Sequence, residues 1–318
     1  VADEDSEGAA LSTPLEAPIL APRAEAHERP LRAALLMALA AALFALMGLL
    51  ARSASAKLPW QEVALSRALV GSLVAYAVAR ARGASLAVHD RRLSWARTLF
   101  GTVAMMCTFA VLASKAVGLG DAATLAATSP VFVALLAPRV LGERSGRATW
   151  LATAVAFSGV AFVAGPTFDV ALPVAAIATL GALATALAMM MLRKLGRGAG
   201  ESPEGIAFHF STFAAVVALG LSLPVWITPD ARGALELGLA GVTGGLAQLA
   251  MTRAYALDRA ARVGAVGYLG PVLSHLLGSL VLAEPPSPTG LLGTTLVIAA
   301  GLVLTASALR ERRAKMKL

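Results

Sequence analysis

Only a handful of side chains in this sequence could do chemistry away from water, and each sits in an apolar run. Arg67 lies eight residues beyond Pro59, with Ala64 and Leu65 before it and Ala68, Leu69 and Val70 after it. A guanidinium is a rigid fork of donors suited to an anionic or carbonyl group. His209 and His275 occupy similar runs, and imidazole is the side chain that ordinarily titrates between pH 5 and 8. Gln248 can both donate and accept. Each of these has a plain packing alternative: an arginine bonded to broken-helix carbonyls, a histidine held in a packed interface, a glutamine joining two helices. Metal and covalent chemistry find little here. There are four histidines and no H-x-x-x-H, so neither a metal nor a cofactor is expected. One cysteine, Cys107, excludes an internal disulfide and any Cys-rich metal site. Ser211 follows His209 by two residues, which on a helix points the two side chains to different faces. No G-x-S-x-G or H-E-x-x-H is present either, so an enzyme is not expected.

The elements that must hold these residues follow from composition. Of 318 residues, 58% are apolar and 14% are charged, with a mean hydropathy of +0.74. A soluble domain carries about 25% charge. A hydrocarbon core of about 30 Å requires roughly 20 apolar residues as helix. Ten segments qualify: Leu31 to Ala51, Pro59 to Ala79, Leu93 to Ala113, Ala122 to Leu141, Thr149 to Ala164, Val170 to Leu192, Gly205 to Pro224, Leu235 to Ala254, Val263 to Leu282 and Gly290 to Leu309. Barrel strands would be shorter and would alternate apolar with polar. The expected fold class is therefore an all-α polytopic membrane protein with ten transmembrane helices. On the second span Arg67 falls about 12 Å along the axis, near mid-membrane. There an arginine costs about 2.5–3.5 kcal/mol to insert unless it faces the bundle interior.

Residues 1–30 are acidic and proline-bearing (Asp3, Glu4, Asp5, Glu7, Pro14, Pro18, Pro22) and are expected to be a disordered tail. Ala54-Ser55-Ala56 looks like a signal-peptide cleavage site. The apolar run before it is longer than an h-region and lacks a short basic lead, so an uncleaved first span is expected. With the N-terminus in the cytoplasm, 22 of the 27 Lys and Arg fall on the cytoplasmic side, Arg97 among them. Four (Arg52, Lys57, Lys115 and Arg232) face out, and Arg67 is left over. That bias sets orientation. Both termini, including a basic tail over 310–318, are then cytoplasmic, and the +8 net charge is a topology signal that needs no nucleic acid.

The two halves echo each other. Ser129-Pro130-Val131 leads to Glu143 and Gly270-Pro271-Val272 leads to Glu284, an offset of 141; Glu62 and Arg67 correspond to Glu204 and His209 at 142. Five spans per half is an odd number, so the second half enters from the opposite side, giving two inverted five-helix repeats over 31–165 and 170–309. Secondary transporters use this architecture and bind substrate at the repeat interface. Ser129, Pro130, Gly270 and Pro271 are expected kink or hinge positions, because proline removes a helix donor. The glycines at 241, 244, 245, 264, 267 and 270 are expected at close helix contacts. No Asp or Glu falls mid-span, so a carboxylate proton relay is not expected.

Leu119-Gly120-Asp121-Ala122-Ala123 running into Ser129-Pro130-Val131-Phe132, then Leu141-Gly142-Glu143-Arg144, resembles the fourth span and Gly-Glu corner of EamA-type permeases of the drug/metabolite transporter superfamily. Gly270-Pro271 and Ala283-Glu284 repeat the pattern, and Pro59-Trp60-Gln61-Glu62 and Gln248 to Tyr255 extend the resemblance across Leu31 to Leu309. The resemblance implies ten helices, a cytoplasmic N-terminus, residence in the bacterial inner membrane and transport of small metabolites. It also draws Tyr268 into the substrate-binding set with Arg67, His209, Gln248 and His275. Here Gly267 precedes Tyr268, where related permeases often carry an acid, so no role for that acid transfers. The expected partners are a small polar substrate, the lipid bilayer and, as one option, a second copy in a homodimer. The expected activity is secondary transport by alternating access; a membrane scaffold or sensor, or an intramembrane enzyme, is the alternative.

Overall fold

The computed structural model describes residues 30–141, 147–164, 168–195, 201–257, 263 and 266–315. The acidic tail before Pro30, the Gly142-Glu143-Arg144 corner, Gly264 and the last three residues lie outside the described residues. Among the described residues every long element is a helix: α1 (Pro30–Ala54), α2 (Trp60–Arg82), α3 (Arg91–Ala113), α4 (Leu119–Ala126), α5 (Ser129–Leu141), α6 (Arg147–Ala164), α7 (Phe168–Leu195), α8 (Pro203–Ser222), α9 (Ala231–Leu257), α10 (Leu269–Val281) and α11 (Pro288–Lys315). A 3₁₀ turn at Leu223–Val225 extends α8. Six stretches are long and apolar enough to cross a membrane, in α1, α2, α3, α7, α8 and α9.

Local chemistry sets the ends. Asp90 accepts the Leu93 N–H at 3.0 Å to start α3, and Ser202 accepts the Gly205 N–H at 2.8 Å to start α8, with Pro203 in the first turn. Gly83 closes α2 at φ 62°, the left-handed region that glycine enters at no steric cost.

The fourth and ninth spans are not single kinked helices. The chain leaves the helix at Ala127-Thr128 and starts again at Ser129, so Pro130 stands in the first turn of α5, where its missing N–H is no loss. The Thr128 hydroxyl caps the Leu125 carbonyl at 2.7 Å. A turn at Tyr268 likewise precedes α10, with Pro271 in its first turn. The two breaks are one sequence repeat apart.

Leu35, Leu39, Leu46, Leu69, Leu73, Leu99, Val103 and Leu239 point outward, whereas the faces turned inward are built from Ala and Gly. Small residues let backbones approach, which is how helices associate in lipid. A Cβ on Gly245 would lie 3.1 Å from the Gly71 Cα, and one on Gly241 would lie 2.5 Å from the Val70 Cβ, so α9 rests directly on α2. Gly159 and Gly293 bring α6 onto α11 in the same way. Gly270 departs from its expected packing role: nothing lies within 4 Å of the position its Cβ would take. The main neighbours are α1 with α9, α2 with α8, α3 with α7, α6 with α11, α2 with α9, α4 with α10, α1 with α10, and α5 with α7.

Candidate functional site

A cavity of about 270 Å³ lies between α1, α3, α4, α7 and α10. Met37, Phe44, Met47, Leu112, Leu119 and Ala182 give it an apolar wall, and Thr108, Thr185 and Ser274 are its hydroxyls. Both helix breaks open onto it, through Ala126 and Ala127 on one side and Gly267, Gly270 and Pro271 on the other. Gly270 meets no neighbour because it faces this space.

Arg67, His209, Gln248, Tyr268 and His275 do not line the cavity; they stand behind its wall or to one side. Arg67 is 3% exposed and donates through Nη2 to the Gly244 carbonyl at a long 3.4 Å, and its Nη1 has no hydrogen-bond partner. Met47, which lines the cavity, crowds the same side of Gly244 as Arg67: a Cβ there would lie 2.7 Å from Met47 Sδ and 3.2 Å from Arg67 Nε. A flexible thioether of the cavity wall thus stands beside the arginine.

A second guanidinium joins Arg67. Arg97 on α3 is also 3% exposed, and its Nε and Nη1 have no partner. Its Cζ stands 4.1 Å from the centroid of the Phe210 ring, and that of Arg67 stands 5.8 Å from the same ring. Glycines make the room. A Cβ on Gly101 would lie 2.8 Å from Arg97 Nη1, and one on Gly71 would lie 3.1 Å from Arg67 Nη1. Among the described residues neither arginine has an ion-pair partner. Glu62, on the same helix as Arg67, accepts the Ile227 N–H through Oε1 at 2.6 Å and keeps a buried Oε2 with no partner among the described residues, and Glu204 is occupied by Arg253 at 2.6 Å and Arg82 at 3.5 Å.

His209 precedes Phe210 in sequence and meets the residue that follows Arg97. Its Nδ1 is 3.0 Å from Thr98 Oγ1, and its ring meets Trp95 edge-on at 4.9 Å. Gln248 Nε2 donates to Thr252 Oγ1 on its own helix at 3.4 Å. Tyr268, at the second helix break, packs its ring against Gly301 of α11, and its hydroxyl is buried without a hydrogen-bond partner. His275 belongs to a separate cluster: its Nε2 is 2.9 Å from Thr294 Oγ1 and 3.8 Å from Asp121 Oδ1, and Thr294 in turn meets Thr124 at 2.9 Å. The structure therefore groups Arg67 with His209 through Phe210 and Arg97, and sets His275 apart on α10.

At the end of the bundle nearest Asp121, Arg52 ties several elements together. It pairs with Glu284 at 2.8 Å and donates to the carbonyls of Leu112, Ser114 and Val117, and Glu284 accepts the Leu119 N–H at 2.8 Å to cap α4. Ala283, at φ 53°, turns the chain so that Glu284 reaches back.

Spans of this length, with apolar side chains turned outward, define a multi-pass helical membrane protein. The sequence profile of the EamA-like transporter family matches twice, over residues 31–165 and 172–306. The chain belongs to that family, whose members are small-molecule transporters. It is 31% identical over 273 residues to the pseudopaline exporter of Pseudomonas aeruginosa, covering 85% of this chain and 95% of that protein. It is 28% identical to a riboflavin transporter of Vibrio cholerae, covering 85% and 91% of the two chains. A riboflavin transporter of Rhizobium johnstonii is 32% identical over 62% of this chain and 65% of its own. One crystal structure superposes with a TM-score of 0.63 at 21% identity over 87% of this chain and 98% of its own, a likeness of fold.

Two of these residues escape a sequence-only assignment. Arg97 counts there as one more basic residue near a cytoplasmic span end, and Asp121 as a corner. For Arg97 a signal exists: Arg67-Ala-Leu-Val-Gly71 and Arg97-Thr-Leu-Phe-Gly101 share an R-x-L-x-G pattern on successive spans. In both, the glycine one helical turn later is the cradle for the guanidinium.

Proposed function

We propose that this protein is a secondary transporter that carries a small polar metabolite across the bacterial inner membrane by alternating access. Ten transmembrane helices form two inverted five-helix repeats, with both termini in the cytoplasm. The observation that carries the reading is a cavity bounded by the two helix breaks, because transporters bind substrate where discontinuous helices meet between repeats. The pattern of helix neighbours supports the inverted arrangement. Exchanging each span for its repeat mate turns the α1–α9 contact into the α7–α3 contact and the α10–α1 contact into the α5–α7 contact, and returns α2–α8 and α6–α11 to themselves.

In this account substrate enters the apolar cavity and Arg67 anchors its anionic or carbonyl end once Met47 moves aside. His209, Gln248, Tyr268 and His275 complete the polar contacts in one or another state of the cycle. Ser129, Pro130, Gly270 and Pro271 are the hinges on which the half-helices rock. The substrate class is that of amino acids, organic acids, nucleobases or vitamins; the relatives that carry pseudopaline and riboflavin lie within that range. A homodimer is the assembly compatible with the outward apolar faces. A scaffold or sensor has no use for a cavity between two broken helices, and an intramembrane enzyme would need a nucleophile and base together. Uptake of a radiolabelled metabolite panel into proteoliposomes tests the proposal. Saturable uptake above protein-free vesicles is expected, and a folded protein that moves none of the panel overturns it.

A further inference from the structure

Arg67 and Arg97 are two full positive charges inside one bundle, 3% exposed each. Three of their N–H-bearing atoms are unpartnered: Arg67 Nη1, Arg97 Nε and Arg97 Nη1. Buried charges are ordinarily paired, because an uncompensated one is strongly destabilising. Among the described residues no carboxylate lies within 4 Å of either guanidinium: Glu204 is engaged by Arg82 and Arg253, and Glu62 gives Oε1 to the Ile227 N–H while its buried Oε2 pairs with neither arginine. The two guanidinium carbons share the Phe210 ring, at 5.8 and 4.1 Å from its centroid, and so stand within about 10 Å of each other. Like charges this close repel, and the ring face offsets only part of that. A fold that holds two such groups in glycine-lined cradles, with free donors and no anion, lacks a negative partner.

We infer that Arg67 and Arg97 together form one buried anion-binding site, floored by Phe210, that takes the carboxylate end of the transported molecule. The inference rests on the transporter reading above and narrows its substrate class to organic anions. A carboxylate accepts forked donors from a guanidinium, and one spanning Arg67 Nη1 and Arg97 Nη1 would satisfy unpartnered donors on both arginines. Phe210 offers an apolar surface to the carbon skeleton behind it.

The test uses the full chain purified in detergent, with glutarate, L-glutamate, the uncharged glutaramide, inorganic phosphate and glycerol 3-phosphate as probes. Melting temperature and calorimetric affinity are both read. Glutarate or glutamate should raise the melting temperature, and glutaramide should not. Arg67→Gln and Arg97→Gln should each weaken carboxylate affinity by about 10–100-fold, the factor expected for losing charged hydrogen bonds. Without ligand, both variants should melt at or above the wild-type temperature, because an unpaired buried charge has been removed. A structural arginine would do the reverse, so a lower melting temperature with affinity unchanged overturns the inference. Gly101→Ala provides a second variant that keeps both charges: its Cβ fills the Arg97 cradle and should weaken the carboxylates alone. Stabilisation by phosphate or glycerol 3-phosphate without any by carboxylates overturns the substrate class and points to a lipid headgroup or phosphate ester. Saturable transport of neutral solutes only, unaffected by Arg97→Gln, sinks this inference and leaves the transporter reading standing; no transport of any solute sinks that reading itself.

Discussion

Removing Arg52 should cost the protein more stability than removing any other single charge at its end of the bundle. Its guanidinium pairs with Glu284 at 2.8 Å and donates to the carbonyls of Leu112, Ser114 and Val117, closing the end of α3. Glu284 in turn caps α4 through the Leu119 N–H. The side chains are 12% and 25% exposed, so water replaces these bonds poorly. Arg52→Ala leaves three carbonyls short of a donor and one carboxylate short of its cation. At about 1 kcal/mol for each net hydrogen bond and somewhat more for the charged one, the loss comes to about 4–5 kcal/mol. For a chain of this size that corresponds to a melting temperature lower by about 6–8 °C. The assay is thermal unfolding of the purified protein in detergent for wild type, Arg52→Ala, Glu284→Ala and the double variant. The double variant should lose clearly less than the sum of the two single losses, because the pair is coupled. A loss below about 2 °C for Arg52→Ala, or strict additivity in the cycle, would refute the clasp.

Gly120→Ala should destabilise by about 1–3 kcal/mol, since its Cβ would run into the His275 ring and push it off Thr294. Gly220→Ala, where nothing lies within 4 Å, should be neutral or slightly stabilising; equal melting temperatures for the two refute the packing described. The Asp230 carboxyl is held below the usual carboxylate range by the Gly233 N–H and by Lys57. Its contribution is therefore present above about pH 4 and lost as pH falls through the lowered value. The melting difference between wild type and Asp230→Asn should be constant from pH 7 to about pH 5 and shrink as pH falls through the lowered value, and a difference independent of pH contradicts this. On the proposed topology, with both termini cytoplasmic, a cysteine placed at Ser6 or Lys315 after removal of Cys107 should resist impermeant reagent in intact cells. Labelling of either position from outside sinks that topology.

The membrane class was legible because apolar runs of membrane length leave no other fold. The discontinuities were legible too, since Pro130 and Pro271 each remove a hydrogen bond from a helix ladder. Their form was not: a proline can kink a helix or begin a new one, and the choice falls to neighbours such as Thr128, whose hydroxyl caps the helix it ends. Gly270 was misassigned for a related reason. A glycine permits either close packing or empty space, and only the position of α10 beside the cavity decides. Arg67 declared itself by its depth in an apolar run, whereas Arg97 lay near a span end rich in arginine and looked like a topology signal. Its burial comes from long-range packing of α3 against α8, where Phe210 meets it. Asp121 belonged to a corner in the sequence; its encounter with His275 depends on α4 and α10 crossing, which no local pattern records.

The central claim is that a molecule anchored by Arg67 crosses the membrane through this bundle. Solute counterflow tests it most directly: proteoliposomes loaded with millimolar unlabelled L-glutamate or glutarate, diluted into a trace of the same labelled compound, for wild type and Arg67→Gln. Transient accumulation of label above equilibrium is predicted for the wild type, because one site exchanges substrate between the two faces, and its loss is predicted for a folded Arg67→Gln. Equal accumulation by both proteins, or none by wild type that binds the compound, contradicts the account.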